Sequence, residues 1–357
     1  MLVAIYRKSR KIQRSRVIYI PVRIVYINES GCILSNKMEF ILPEALKEVP
    51  VEAGKRYDVL IIGAGPAGMT AAVYAARKKL DTLVITGKVG GQTLLAPGVE
   101  TYMGYQFITG QELMRKFEAQ VRQFPVPLLV GEEVTKLIRE DTFFAVRTSK
   151  STKFEGKAVI IASGRRARSL NVPGEKELIG RGISYCATCD APLFAGLDVA
   201  VIGSGNPAIT AVNDLTNYAR RIYSIVRASV KADLVLVEKA EKSGNVEFLS
   251  GYAVKAIEGK DNVERIVIRD ITRSKDVALD VDGVFIEIGA IPNVEFAKDV
   301  VKLNRLREIE VDCECKTSVA GIFAAGDVTN APEKQIIVAA GEGAKAALSA
   351  HRYLMAL

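Results

Sequence analysis

A pattern of buried strand, glycine-rich turn and helix occurs twice in this chain, and it constrains the fold more than any other feature. The first copy runs from the apolar strand Tyr57–Ile62 into Gly63-Ala-Gly65-Pro-Ala-Gly68 and an alanine-rich helix. In such a turn the first glycine bends the chain, the second lets the backbone approach a pyrophosphate, and the third allows close packing of helix on strand. The free N–H groups at the helix start then face the phosphates. This copy therefore predicts a dinucleotide-binding fold.

The second copy starts at the apolar strand Asp198–Ile202 and continues as Gly203-Ser-Gly205-Asn206-Pro-Ala208, with a predicted helix after it. Alanine is a permitted variant at the third glycine position. A chain of 357 residues is long enough for two domains. We therefore predict an α/β protein with two Rossmann-like, three-layer dinucleotide-binding domains. A chain that binds two dinucleotides usually relays electrons between a flavin and a nicotinamide.

A pair of cysteines lies just before the second copy, in Cys186-Ala-Thr-Cys189-Asp190. A C-x-x-C motif is either a redox disulfide or half of a tetrahedral zinc site. Zinc would need two more ligands, and Cys313-Glu-Cys315 has an unusual spacing for them. We therefore favour the redox disulfide and expect no metal site. Asp190 is either a cap of a helix or turn, or the proton donor to a departing thiolate.

A third segment near the C-terminus has the pattern of a cofactor site. The predicted strand Gly321–Ala325 ends at Gly326-Asp327, and Lys334-Gln335-Ile336 opens an apolar helix that ends near Leu354. An aspartate at the carboxyl end of a strand, followed by a helix N-terminus, is suited to hydrogen-bonding the ribityl chain of a flavin.

Composition and charge exclude several other classes. The only histidine, His351, argues against a Ser-His-Asp hydrolase and a multi-histidine metal centre. The net charge of +8 suggests a nucleic-acid partner, but residues 1–37 hold eight of the 49 Lys and Arg and one of the 41 Asp and Glu. The rest of the chain is therefore nearly neutral, and we expect no binding to nucleic acid.

The basic N-terminal extension, residues 1–54, is not needed for either dinucleotide fold. Its apolar run Val17–Ile27 is shorter than the roughly 20 residues that span a bilayer, so we expect no membrane association. Two alternatives stay open for residues 1–37: an organellar transit segment, or a start codon placed too early with translation from Met38. We favour the second.

Taken together, these motifs resemble the low-molecular-weight thioredoxin reductases, including those of archaea, over nearly all of the chain outside the extension. The resemblance implies an FAD-binding domain of residues 55–166 and 289–357, into which an NAD(P)H-binding-like domain of residues 167–288 is inserted. It also implies a homodimer. The matched motifs are Gly63–Gly68, Ile85-Thr-Gly87 with Gly90-Gly-Gln92, Ala162-Ser-Gly164, Cys186–Asp190, Gly203-Ser-Gly-Asn206, Gly326-Asp-Val328 and Lys334-Gln335.

The same resemblance assigns roles to the motif residues. Cys189 would face the flavin and form the charge-transfer thiolate, Cys186 would exchange with thioredoxin or a glutaredoxin-like protein, and Asp190 would be the acid–base residue. The two domains would alternate between two orientations. A dithiol that must stay reducible points to the cytoplasm. The implied FAD-binding residues are Gly63, Gly65, Pro66, Ala67, Gly68, Thr86, Gly91, Gln92, Gly326, Asp327, Lys334, Gln335 and Ile336.

The sequence motifs specify the nicotinamide less clearly than the flavin, and either NADPH or NADH is compatible with them. The family holds the 2′-phosphate of NADPH with a His-Arg-Arg run, where this chain has Val226-Arg227-Ala228. Two alternatives therefore stay open: a flavin-disulfide oxidoreductase with another electron donor, and a redox sensor without turnover. Asp190 favours turnover, because a sensor needs no acid. The implied nicotinamide-binding residues are Gly203, Gly205, Asn206, Arg227 and Lys231.

Overall fold

The computed structural model describes residues 21–27, 33–40, 49–52 and 54–357. In the N-terminal extension, strands β1 (Pro21–Ile27) and β2 (Ile33–Phe40) form an antiparallel pair. The predicted leader comprises residues 1–37, and its residues 1–20 and 28–32 lie outside the described residues. Within the described ranges, no helix is both long and apolar enough to cross a membrane.

The remaining strands and helices follow in this order along the chain. Up to residue 167 they are β3 (Arg56–Ala64), α1 (Pro66–Arg77), β4 (Thr82–Val89), α2 (Gly110–Val121), β5 (Leu128–Val130), β6 (Val134–Arg139), β7 (Phe144–Thr148), β8 (Lys153–Ile161) and β9 (Arg165–Ala167). From residue 168 to residue 250 they are β10 (Ile183–Ser184), α3 (Ala187–Asp190), β11 (Asp198–Ile202), α4 (Asn206–Leu215), β12 (Arg221–Val226), α5 (Leu234–Lys242) and β13 (Val246–Ser250). After that they are β14 (Tyr252–Glu258), β15 (Arg265–Asp270), β16 (Asp276–Asp280), β17 (Gly283–Ile286), β18 (Ala290–Pro292), β19 (Ile322–Ala324) and α6 (Ile336–Met355).

The first domain is built from both ends of the described chain. Its parallel strands have the order β5-β4-β3-β8-β19. The first half of β8 also pairs with the antiparallel strand β7, and β7 pairs in turn with β6. Helices α1, α2 and α6 cover one face of the sheet. The β6–β8 meander and residues 294–309 pack on the other face. This domain therefore has three layers.

Close contact between α1 and α6 joins the two ends of the chain. Small side chains of both helices share one buried cluster. A Cβ on Gly343 of α6 would lie 2.0 Å from the carbonyl oxygen of Ala67 in α1, so only glycine permits this approach. The C-terminal helix is thus an integral part of the first domain.

The second domain repeats the same layers. Its five strands are all parallel, in the order β10-β17-β11-β12-β13. Helices α4 and α5 cover one face, and the antiparallel strands β14, β15 and β16 cover the other. The domain is inserted between β8 and β19 of the first domain. The predicted fold class, with two Rossmann-like three-layer domains and the second inserted into the first, is confirmed.

A short ribbon carries the chain between the two domains. β9 pairs antiparallel with β18, with Arg165 opposite Pro292 and Ala167 opposite Ala290. The chain leaves the first domain along one strand of this ribbon and returns along the other. The sequence predicts domains of residues 55–166, 167–288 and 289–357. The two boundaries between these ranges lie in or next to the ribbon, and the limits stay a prediction.

Candidate active site

The first glycine turn is shaped to leave its middle residue open. Gly63 has a φ of +105°, and a Cβ there would lie 2.3 Å from the carbonyl oxygen of Ala162. A Cβ on Gly68 would lie 1.9 Å from the carbonyl oxygen of Gly63. In contrast, nothing lies within 4 Å of the corresponding position on Gly65, directly before the start of α1. The turn and helix therefore need the two outer glycines for packing, while Gly65 leaves space for a ligand.

A cavity of about 880 Å³ opens in front of this turn, and both domains line it. The second domain contributes the redox segment, including Cys186, Cys189 and Asp190. The structure brings all the predicted FAD-binding residues to this cavity except Gly68, which packs beneath Gly63. Those in the cavity wall are Gly63, Gly65, Pro66, Ala67, Thr86, Gly91, Gln92, Gly326, Asp327, Lys334, Gln335 and Ile336.

Charged groups at the carboxyl end of β19 face the same cavity. Burial raises the pKa of Asp327, while the nearby charges of Arg165 and Lys334 act in the opposite direction. The Arg165 guanidinium lies 3.5 Å from the Asp327 carboxylate. A partly buried carboxyl in a cavity wall is suited to bind hydroxyl groups of a ligand. With the open backbone at Gly65, these features fit the FAD that the sequence predicts.

The redox segment places its disulfide in the cavity wall. Cys186 precedes the short helix α3, and a disulfide joins it to Cys189. The Cys189 sulfur lies 4.0 Å from Nε2 of Gln335, which directly precedes α6. The sulfur of Cys189 therefore borders the part of the cavity formed by the predicted FAD-binding residues.

Asp190 is buried beside the disulfide and is only 5% exposed. Its Oδ2 accepts a hydrogen bond of 2.6 Å from the Ser184 hydroxyl, and that hydroxyl oxygen accepts one of 3.0 Å from the backbone N–H of Cys186. Its Oδ1 has no hydrogen-bond partner within the described part of the chain. Burial raises the pKa of the Asp190 carboxyl. This environment favours a protonated carboxyl, as an acid for a thiolate requires.

The predicted nicotinamide site lies at the other glycine turn. The backbone N–H of Lys231 donates to the Ser204 carbonyl at 2.7 Å, so the loop after β12 packs on this turn. Asn206, at the start of α4, donates to the Asp233 carboxylate at 2.8 Å. Gly203, Gly205, Asn206, Arg227 and Lys231 are not in the described wall of the large cavity.

Three charged residues near these sites were not predicted. Arg165 directly follows the Ala162-Ser-Gly164 motif, and Glu287 directly follows the buried strand β17. Asp233 lies in the loop between β12 and α5. The sequence carried a weak signal for Arg165 and Glu287, because a charged residue that follows the carboxyl end of a parallel strand lies near the ligand crevice.

Alanine at position 65 tests whether the open backbone holds a phosphate group. Gly65 has a negative φ, so Gly65→Ala is expected to fold normally. The added methyl group would occupy the space of the phosphate, and we expect FAD affinity to fall about tenfold or more, since one charged hydrogen bond is worth about 1.5 to 3 kcal/mol. Fluorescence titration of the apoprotein measures this.

The matched control for this test is Gly341→Ala in α6, where a Cβ would also meet nothing within 4 Å. It is expected to bind FAD normally and to be slightly more stable than the wild type, because alanine favours a helix. Unchanged FAD affinity in Gly65→Ala would contradict the assignment of this turn.

Comparison with known proteins agrees with this arrangement. The family model for pyridine nucleotide-disulphide oxidoreductases matches residues 57–343. One of the alkyl hydroperoxide reductase subunits of Staphylococcus aureus is 39% identical over 300 residues, which are 84% of this chain and 59% of that protein. The chain thus spans less than two thirds of that curated relative.

Two solved structures share the fold over nearly their whole length. The thioredoxin reductase of Streptococcus pyogenes has a TM-score of 0.81 and 36% sequence identity, covering 85% of this chain and 99% of its own. The thioredoxin reductase of Giardia duodenalis has a TM-score of 0.78 and 31% identity, covering 84% and 99%.

Proposed function

Because the chain belongs to the pyridine nucleotide-disulphide oxidoreductase family, we propose that it is an FAD-dependent reductase of protein disulfides. Electrons would pass from NAD(P)H through FAD to the Cys186–Cys189 disulfide and then to a small redox protein. One observation carries this proposal: the disulfide lines the same cavity as the FAD-binding residues, with the Cys189 sulfur next to Gln335.

Each group of the site has a distinct task in this proposal. Bound FAD would supply two-electron transfer between the nicotinamide and the disulfide. Asp327 and the backbone around Gly65 would hold FAD in the cavity. Asp190 would protonate the thiolate that is released when the disulfide is reduced. Cys186 would attack the disulfide of the protein substrate once the second domain has turned away from the cavity.

Thioredoxin, or a glutaredoxin-like protein, is the protein substrate that we propose first. The similarity to two thioredoxin reductases over 99% of their chains supports it. By the same analogy we propose a cytoplasmic homodimer. A second candidate is a component of a system that reduces hydroperoxides, which the name of the Staphylococcus aureus relative and its 39% identity favour.

Anaerobic titration of the purified yellow protein with NADPH and with NADH tests the proposal. We expect the flavin absorbance to bleach with at least one donor, and oxidised thioredoxin to restore it. Restoration only by an oxidised peroxidase would favour the second candidate. No bleaching with either donor would favour a flavin-disulfide protein with another donor, and bleaching without turnover would favour a redox sensor.

Weak discrimination between the nicotinamides is expected in the wild type. Arg227 and Lys231 are cations near the second glycine turn, whereas the Asp233 carboxylate beside Asn206 would repel a 2′-phosphate. We expect Ala228→Arg to raise the rate of flavin reduction by NADPH about tenfold more than that by NADH, because it adds one phosphate contact. Stopped-flow absorbance measures both rates.

Glu241→Arg is the matched control for this substitution, since it also adds an arginine to the second domain, on the exposed face of α5. It is expected to leave the ratio of the two rates unchanged. Rapid, strongly NADPH-selective reduction of the wild type would show instead that Arg227 and Lys231 suffice.

A further inference from the structure

Glu287 lies where the redox segment meets the glycine turn of the second domain. It follows β17, and its backbone N–H donates to the Ile202 carbonyl at the end of β11 at 2.8 Å. A Cβ on Gly203 would lie 2.4 Å from the carbonyl oxygen of Glu287, so this backbone and the turn are in close contact. The Glu287 side chain accepts a hydrogen bond from the backbone N–H of Ala187, the residue after Cys186.

The charged groups around Glu287 come from several elements. Arg165 on β9 attracts its negative charge, and Asp214 on α4 repels it. The Asp214 carboxylate also accepts a hydrogen bond of 3.2 Å from the Thr188 hydroxyl, within the redox segment. The Asp190 carboxylate accepts a hydrogen bond from the Ser184 hydroxyl, which in turn accepts one from the backbone N–H of Cys186. Three carboxyl groups therefore surround the four-residue motif that carries the disulfide.

We infer that Glu287 is a positioning residue for the redox dithiol: its carboxyl group orients the Cys186–Ala187 backbone, and its negative charge opposes the Cys186 thiolate. This inference rests on the proposed function, because it concerns the attacking thiol of the reduced protein. The Ala187 N–H that the carboxylate binds is not available to the thiolate. A carboxylate bound to the N–H of the residue next to a thiol disfavours a second negative charge on that thiol.

Protonation of Glu287 then controls the attack on the protein substrate. Burial raises the pKa of Glu287 to about 7. Below that pH its carboxyl is neutral, and above it the carboxylate raises the pKa of the Cys186 thiol. In the attack, the Cys186 thiolate forms a bond to one substrate sulfur while the substrate S–S bond breaks, and the departing thiolate takes a proton from solvent. The thiolate fraction of Cys186 should therefore rise less steeply above pH 7 than that of a simple thiol.

Alkylation of Cys186 by iodoacetamide tests this without an electron donor or a protein substrate. The host is the FAD-loaded Cys189→Ser protein, and mass spectrometry of the Cys186 peptide excludes the other cysteines. Glu287→Gln keeps an acceptor for the Ala187 N–H and removes the charge. We expect equal rates for host and Glu287→Gln at pH 6, and about tenfold faster alkylation of the variant at pH 8, as a shift of one pKa unit gives.

Glu241→Gln is the matched control, because it removes a carboxylate of the second domain that lies on the exposed face of α5. Its rate relative to the host is expected to be the same at both pH values. Equal rates of Glu287→Gln and host at pH 8 would overturn the inference. An equal acceleration at both pH values would also overturn it, since a purely structural change has no reason to appear only above pH 7.

A charge-retaining variant keeps the inference testable if Glu287→Gln loses FAD. Glu287→Asp should then show the shallow pH dependence of the host, and a steep, simple dependence would contradict the role of the charge. Failure of the proposed function is distinguishable, because it would appear as absence of turnover in the wild type while the alkylation rates would be unaffected.

Discussion

Serine at either position of the disulfide is expected to lower turnover about a thousandfold or more, as removal of a nucleophile does in other enzymes. The two variants should nevertheless differ, because the Cys189 sulfur lies by Gln335 in the cavity wall. Cys186→Ser should keep a thiolate beside the flavin and show a long-wavelength absorbance band on reduction. Cys189→Ser should lose that band and still form a mixed disulfide through Cys186.

Trapping experiments separate these two roles. The probe is a thioredoxin whose single remaining thiol carries a thionitrobenzoate leaving group, so that attack by Cys186 releases a coloured product. Cys313→Ser, which removes an exposed free cysteine, is the control and should behave as the wild type. Exchanged phenotypes of the two serine variants would reverse the assignment. Normal turnover in both would remove the disulfide from the mechanism.

Asparagine at position 190 is expected to lower turnover about a hundredfold, the lower end of the usual contribution of a general acid. Burial raises the pKa of Asp190, and only the protonated carboxyl can donate. Wild-type turnover should therefore fall as the pH rises through that pKa. Asp190→Asn should lose this dependence, which a pH profile of steady-state turnover measures.

Unfolding does not account for the expected loss. The folded protein holds the Asp190 proton more tightly than the unfolded chain does, so the contribution of this group to stability decreases as pH rises above its unfolded pKa. Asparagine does not ionise, so this loss of stability at high pH does not occur in the variant. The melting temperature of Asp190→Asn at pH 8 should therefore be no lower than that of the wild type. An active variant with an unchanged pH profile would exclude Asp190 as the acid.

Residues whose roles depend on local backbone geometry were predictable from the sequence. The first glycine turn, the segment after β19 and the C-x-x-C motif each carry their function within a few neighbouring residues, and all three line one cavity. Arg165 and Glu287 were not predictable in this way. Arg165 approaches Asp327 from the ribbon of β9 and β18, and Glu287 meets Ala187 because β17 lies between β10 and β11. Such neighbours depend on strand order, which a motif does not encode.

The contact of α6 with α1 has a consequence for the way the protein is made. A ribosome completes β17, and with it all strands of the second domain, before it has produced β19 and α6. The second domain can therefore fold first, as domains do during synthesis. Meanwhile the carboxyl half of β8 lacks its partner β19, and the small side chains of α1 lack the cover of α6. The emerging chain holds an unpaired strand edge at this stage, which is a site for aggregation. The flavin cavity, which is lined in part by the start of α6, can thus close only after the second domain has been made.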